Sequence, residues 1–389
     1  MSEIKVNSIK GVGASTAAIT VDNTAGTCTA NIINNLSNRN LIINGAMQVA
    51  QRGTSSTSSG YQTVDRFAVW NGSTDEDPTR TQVDVASGTT PYTLGFRKSL
   101  KVTNGNQTSG AGTSDNVVIL YRVEGQDLAN SGWNYTSSSS YVTLSFWVKS
   151  SVAQNFFFTL KSGDGTPQKY AMETGSLTAD TWTKITKTIS GGSNVQFDND
   201  TGEGLEIEWS IFRGTGQTGS MSLNAWAAQN NAVRTPDQTS TWYTTNDATF
   251  ELTGVQLEVG SVATDFEHRL FAQELELCKR YYQQINGDYD DYTGFAAYSE
   301  SATSMRAIVQ LHPSMRAAFT HSKSGVFRFQ GATNDSNDAA NAFDLHGVNT
   351  SFNACTIRSS AYSGMAAADR PGNLQFRQDG SKLKFDAEL

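Results

Sequence analysis

Hydrophobic and polar residues alternate along most of this chain with a period of two, the repeat that turns one side of a β-strand toward a core. The segment DNVVILYRVEG places Val117, Ile119, Tyr121 and Val123 on one parity. YVTLSFWVKS places Val142, Leu144, Phe146 and Val148 on one parity and Thr143, Ser145, Trp147 and Lys149 on the other. GLEIEWSIF aligns Leu205, Ile207, Trp209 and Ile211. VDRFAVW, TQVDVASG, LKVTNG, NFFFTLKSGDG and WTKITKTISGG repeat the pattern between clusters of Gly, Ser and Asn that supply turns. Strands in succession without intervening helices predict a mainly β fold: a jelly-roll β-sandwich over residues 37–263.

The pattern changes phase once, in TGVQLEVGSVATDFEHR (253–269). Phe250 and Leu252 lie on one parity, and Val255, Leu257 and Val259 on the other. The change falls at Thr253-Gly254 and predicts a β-bulge with Gly254 in an unusual backbone conformation. Gln256 and Glu258 then face away from the core. A 3.6-residue period follows: Phe271, Leu275, Cys278 and Tyr282 form one stripe, and Leu270, Leu277 and Tyr281 a second. This predicts a short linking helix of about four turns within 264–285, with Thr264 and Glu267 at capping-box spacing near its start. One stripe is expected to pack on the sandwich and the other on a neighbour, since a lone helix is marginal in water.

The flanks differ from the middle. Residues 1–36 carry two β-like pieces, EIKVNSI and AAITV, too short to close a core, so an extended N-terminal β segment packed against copies of itself or another protein is expected, with a frayed tail as the alternative. Residues 286–389 hold none of the 7 Trp. GFAAYSES, MRAIVQLHP, GVFRFQG, ACTIRSS and LKFDAEL read as a second, small C-terminal β-domain, with GATNDSNDAANA as a polar loop.

Composition narrows the chemistry. At 389 residues the chain exceeds one ordinary core. Only 17% of residues are charged, against about 25% on average, so neutral hydrogen-bonding groups make the surface. A net charge of -8 without a basic run argues against nucleic acid as a partner. The 3 Cys are too few and too scattered for a disulfide framework or a zinc site. No apolar run is long enough to cross a bilayer, and MSEIKVNSIKGVG lacks the apolar core of a secretory signal, so no membrane insertion is expected.

Motifs for phosphate cradles, metalloproteases and serine hydrolases are missing from the sequence. The four His, His268, His312, His321 and His346, show no ligand spacing. FDNDTGEGLEIE (197–208) brings Asp198, Asp200 and Glu203 together, but an EF-type loop fails: Gly is fifth from Asp198 and Trp209 is twelfth. Asp198 and Asp200 stay as weak calcium candidates in another geometry; no other cofactor is expected. STDEDP (73–78) and GDYDDY (287–292) supply carboxylates, yet a hydrolase needs two placed across a cleft.

Outward aromatics carry more information. Trp147 sits on the polar parity of its strand, Trp182 shares parity with Lys184, and Trp242 and Tyr243 are adjacent, so a strand there would turn one outward. Such rings among hydroxyls and amides suit a sugar, whose C–H face packs on an aromatic ring. Trp147, Trp182 and Tyr243 are therefore the glycan-binding candidates. Burial in a subunit interface or under a loop is the alternative for each.

NLIINGAMQVAQRGT, VDRFAVW, LSFWVKSS, TWTKITKTI and TGVQLEVGSVATDFEHR with ELELCKRYY together resemble a module of bacteriophage tail-fibre and virion structural proteins, notably those of phages infecting marine cyanobacteria. SFWVKSS, the W-x-K strand and VQLEVG are similar to a jelly-roll carbohydrate-binding module. SEIKVNSIKG is similar to the virion-proximal ends of such fibres, and LHPSMRAAFT with LKFDAEL to their distal domains. The resemblance implies a non-enzymatic homotrimer of the virion (tail or fibre), assembled in the host cytoplasm. It implies attachment to other tail or virion proteins through residues 1–36, and host cell-surface polysaccharide as the ligand. A polysaccharide depolymerase and a non-binding capsid or tail decoration or connector are the alternatives. One departure is notable: modules of this class often carry an acid just after the Asn-Gly of the first strand, contributing to a calcium site, and here Gln48 follows. Glu258, at the other end of that site, is then a structural hydrogen-bonding residue.

Overall fold

The computed structural model of the protein describes residues 7–10, 12, 19–22, 27–30, 38–288, 294–331, 335–336, 344–345, 352–359 and 370–389. Most of the N-terminal segment and of the loop GATNDSNDAANA lies outside the described residues; what is described of 1–36 is a small sheet of Ser8–Ile9, Ile19–Asp22 and Thr27–Ala30.

The alternating segments form two six-stranded sheets. One runs Trp226–Ala228, Gln168–Ser176, Asn155–Ser162, Glu203–Arg213, Asn116–Glu124 and Phe67–Gly72 in spatial order. The other runs Thr183–Ser190, Tyr141–Ser150, Thr249–Val259, Lys98–Thr103, Thr79–Asp84 and Ser55–Ser56. Every ladder within them is antiparallel. The parities read from the sequence point inward as expected: Val142, Leu144, Phe146, Val148, Leu205, Ile207 and Ile211 are all 0% exposed. Phe146 and Trp209 meet edge to face at 5.7 Å between the sheets, an arrangement aromatic pairs prefer. The result is a jelly-roll sandwich in a mainly β protein.

A second hydrophobic core is built from Met305, Val309, Phe327, Ile357, Leu374, Phe385 and their neighbours. Around it lie a three-stranded sheet (Tyr282–Gly287, Ser381–Asp386, Thr320–Ser324) and a seven-stranded one centred on Gly294–Ser299.

Between the cores the expected four-turn helix is shorter. It spans Phe271–Lys279 only. Thr264 does not cap it: its backbone N–H and hydroxyl both donate to Glu258, at 2.9 and 2.6 Å. Glu267 accepts instead from the backbone of Asn40 at 2.8 Å. Tyr281 and Tyr282 follow the helix, Tyr282 opening the first strand of the second core, because its pairing with Asp386 outcompetes another helical turn. One helix face, with Glu274 and Cys278, is buried; Leu270 and Phe271 are exposed.

Candidate functional site

The site starts from the bulge. The strand Thr249–Val259 pairs with Tyr141–Ser150 on one side, and the register slips between Thr253 and Gln256. Gly254 takes φ +62° at that slip. Its missing side chain matters twice. A Cβ there would fall in the left-handed region, which L-residues avoid, and would lie 2.7 Å from Phe96 and 3.1 Å from Trp147. The bulge thus frees a seat on the outer face of the sheet, and the two rings settle over it.

A second layer closes over these rings. Residues 264–269 cross the sheet with a bend at Asp265 and a tight turn in which the N–H of His268 donates to the carbonyl of Phe266 at 3.1 Å, and alternate side chains divide their work. Glu267 and Arg269 turn toward the incoming chain 38–42, where Arg269 donates to the carbonyl of Ile42 at 3.1 Å. Phe266 and His268 turn the other way and meet Phe96, the three rings lying 4.9–5.1 Å apart. His268 Nε2 is 2.8 Å from the carbonyl oxygen of Leu94, a contact that Gly95 leaves room for, since a Cβ there would sit 3.1 Å from the imidazole. The loop is anchored from beneath. Gln256 accepts from the N–H of Glu267 at 2.8 Å, and Glu258 pairs with Arg39 at 3.4 Å. Gln256 and Glu258 do point away from the hydrophobic core, but this covering layer leaves them 0% and 2% exposed. Glu258 is a structural hydrogen-bonding residue.

These parts enclose a pocket of about 210 Å³. Trp147, Phe96 and Phe266 supply its apolar walls, and Ser145, Lys184, Asp265 and His268 its polar groups. Lys184 stands directly across the ladder from Trp147. A few convergent polar groups around an aromatic wall can orient a small polyhydroxylated ligand.

The three ring candidates separate. Trp147 is half-buried in the pocket wall. Trp182 is half-buried on the same face of the sheet, one residue before the strand Thr183–Ser190. The ammonium of Lys149 lies 5.2 Å from the Trp182 ring centroid and is held there by Glu251 at 2.8 Å. Trp147 and Trp182 thus occupy neighbouring rows of one surface, roughly 7 Å apart along the strand. Tyr243 is a correction. It lies in a helical turn, Thr241–Thr244, where Trp242 and Tyr243 are both buried. Its ring stacks on Phe212 at 4.2 Å, and its hydroxyl donates to Gln107 at 3.2 Å. At 1% exposure it is a core residue with no face for a sugar.

The calcium candidates serve a turn. Asp200 accepts from the N–H of Gly202 at 2.8 Å, and the N–H of Asp198 donates to Asp164 at 2.8 Å. Glu203 is committed to Arg122 and Lys161 at 2.6 and 2.9 Å. Among the described residues no three His, Cys, Asp or Glu converge on a metal-sized site.

The pocket members that the pattern analysis missed are Phe96, Phe266, His268 and Asp265. The signal was present for two of them: DFEHR keeps the strand's period of two, with Phe266 and His268 on one parity.

No family model matches this chain, and no curated protein matches it. Among solved structures it is similar to the enzymatically active domain of tailspike protein 4 of bacteriophage CBA120, at 10% identity and TM-score 0.31, over 57% of this chain and 21% of that one. It is also similar to a CBM4 module, at 13% identity and TM-score 0.28, over 56% and 98% of the two chains. A third is the N-terminal cellulose-binding domain of Cellulomonas fimi β-1,4-glucanase C, at 10% identity and TM-score 0.26, over 55% and 99%. Likenesses this weak carry no argument about what the present chain binds.

Proposed function

We propose that this chain is a structural protein of a bacteriophage virion, a trimeric tail-fibre-like component that binds host-surface glycan and does not cut it. The observation that carries the binding part is the pocket at Trp147: an aromatic wall over the bulge, faced by Lys184, Ser145 and Asp265. A sugar ring packed on Trp147 would offer its hydroxyls to those groups, and the next sugar would pass toward Trp182. The phage assignment rests on the resemblance in the motifs quoted above. The trimer reading is supported by apolar side chains left exposed between the end of the sandwich and the start of the helix: Val259, Val262, Leu270 and Phe271 are 40, 55, 74 and 55% exposed, and a neighbouring copy would cover such residues. The reading divides the chain into an attachment segment (1–36), the sandwich (37–263), the link (264–285) and an outward-facing distal unit (286–389).

Hydrolysis of a glycoside uses two carboxylates across the bond, and the pocket wall contributes one, Asp265. A depolymerase would have to find its pair elsewhere. The test is gel filtration of labelled host envelope polysaccharide with the purified protein and with Trp147→Ala. We expect co-elution at unchanged polysaccharide length, lost in Trp147→Ala. Shortened polysaccharide would mean an enzyme, and co-elution that survives Trp147→Ala would move the site off this pocket.

A further inference from the structure

We propose that the cleft between the two cores, where the segment 52–62 of the sandwich faces the sheet Tyr282–Gly287/Ser381–Asp386/Thr320–Ser324, is a second ligand site that takes a carboxylate-bearing sugar residue such as a hexuronate. The proposal shares the ligand class of the reading above but not its pocket.

The cleft has a volume of about 250 Å³. Its floor is one face of the three-stranded sheet. Antiparallel register places Tyr282, Asp386 and Thr320 in one cross-strand row, and Gln284, Lys384 and Ser322 in the next. Its opposite wall is Arg52, Tyr61 and Gln62 of the sandwich. Neither core makes the site alone.

The charges in this cleft are unequal in availability. Arg52 is saturated: it pairs with Asp386 at 2.8 Å and Glu388 at 3.3 Å, lies 3.9 Å from Asp65, and stacks 3.7 Å above the Tyr282 ring. It serves as a rigid wall; its one positive charge is shared among three carboxylates, so Asp386, whose side chain is 40% exposed, keeps part of its negative charge. Lys384 differs. Its cross-strand neighbours are the uncharged Gln284 and Ser322, and among the described residues it has no ion-pair partner. Lys384 is the ammonium that a ligand with one negative charge would meet; Asp386, one row along the same face, and His321, also in the lining, set the charge around it.

The remaining groups select a sugar as the carrier of that charge. The hydroxyls of Thr320 and Ser322 and the amide of Gln62 line the same space; Thr320 donates to the carbonyl of Asp386 at 3.4 Å and Gln62 to that of Ser59 at 3.1 Å, which leaves their oxygens to accept from a ligand. The Tyr61 ring stands at the wall, its hydroxyl donating to the carbonyl of Leu389 at 3.2 Å. Fixed in this way, and packed on Ala68, Val118 and Leu120 with Arg52 5.8 Å from its centroid, it leaves its partly exposed rim for C–H contact at little entropic cost. Inorganic phosphate would use Lys384 but would leave the ring and the amide idle.

The test is ligand-observed NMR titration of the full chain with sodium glucuronate, glucose and inorganic phosphate. We expect glucuronate to bind at least about tenfold more tightly than glucose, the effect of one charge-assisted hydrogen bond. Lys384→Met should abolish that ratio, Lys384→Arg should retain it, and Trp147→Ala should leave it unchanged. Equal binding of glucose, no binding of glucuronate, displacement by equimolar phosphate, or a ratio indifferent to Lys384→Met would each overturn the proposal. Loss of glucuronate binding in Trp147→Ala would assign the acid to the first pocket and overturn it too. Loss of polysaccharide co-elution in Trp147→Ala, with glucuronate binding intact, separates the two sites.

Discussion

Gly254 shows how one residue can set a site without touching a ligand. Its positive φ makes the bulge, the bulge shifts the register, and the absent Cβ seats Trp147 and Phe96. Replacing it with Ala would cost about 1–2 kcal/mol for the left-handed backbone and would also force Phe96 away from its 2.7 Å approach. We expect Gly254→Ala to lower the melting temperature and to weaken polysaccharide binding together. Gly260→Ala provides the control: φ there is also positive, +130°, but nothing lies within 4 Å of its Cβ. It should cost stability and leave binding intact. The comparison separates backbone strain from loss of the seat.

At the scale of elements, the sheet opposite the Trp147 pocket carries a charge cluster on its outer face. Glu208, in the strand Glu203–Arg213, is 4% exposed and paired with Arg213 at 2.8 Å. Burial alone would push its carboxyl up. The Arg213 guanidinium, the Lys169 ammonium and hydrogen bonds from Arg213 and Ser210 outweigh burial and hold it down at about 2. A carboxylate depressed on folding adds stability that is complete above its unfolded pKa and is lost as pH falls through its folded pKa. Between pH 5 and 2 this group should remove up to about 3 kcal/mol of unfolding free energy. Glu208→Gln should be less stable than the parent at pH 6, because it leaves Arg213 buried without its partner. Its stability should also fall less steeply between pH 5 and 2, a difference that urea titration across that range would read.

For the whole molecule, the decisive contact is the clasp between the cores. Arg66 of the sandwich is 0% exposed, and its guanidinium lies 3.4 Å from the Tyr281 ring centroid. It pairs with Glu388 and donates to the carbonyl of Arg122 at 2.6 Å. Glu124 of the sandwich reciprocates by pairing with Arg280 at 3.0 Å and accepting from the Tyr281 hydroxyl. Removing one partner of a buried pair typically costs about 3–5 kcal/mol, because the other charge stays desolvated, whereas replacing both with apolar groups costs far less. Glu388→Gln should therefore loosen the second core, seen as faster proteolysis or hydrogen exchange around 281–287. The double replacement Arg66→Met with Glu388→Leu should restore much of the loss. Additive losses in that cycle would mean the pair does not act as a unit.

The sandwich was legible because it depends on a local rule. A β-strand shows its buried face as a parity, and Val142, Leu144, Phe146 and Val148 could be assigned to the core without knowing what they touch. The bulge at Gly254 was legible for the same reason, as a break in that parity. Tyr243 was misread because TWYT folds as a helical turn, in which parity assigns no face, and Phe212 from a distant strand covers the ring. The helix was read too long because periodicity records apolar spacing, while its ends were decided by competing partners: Glu258, on the strand just before, took Thr264, and the distant Asp386 drew Tyr282 into a sheet. The Trp147 pocket and the clasp are of this second kind. Phe96, Trp147 and Phe266 are separated by 51 and 119 residues, and Arg66 and Glu388 by 322. Sequence pattern reports which side of an element is apolar; which residues meet across that side depends on how the chain crosses itself, and that exists only in the folded molecule.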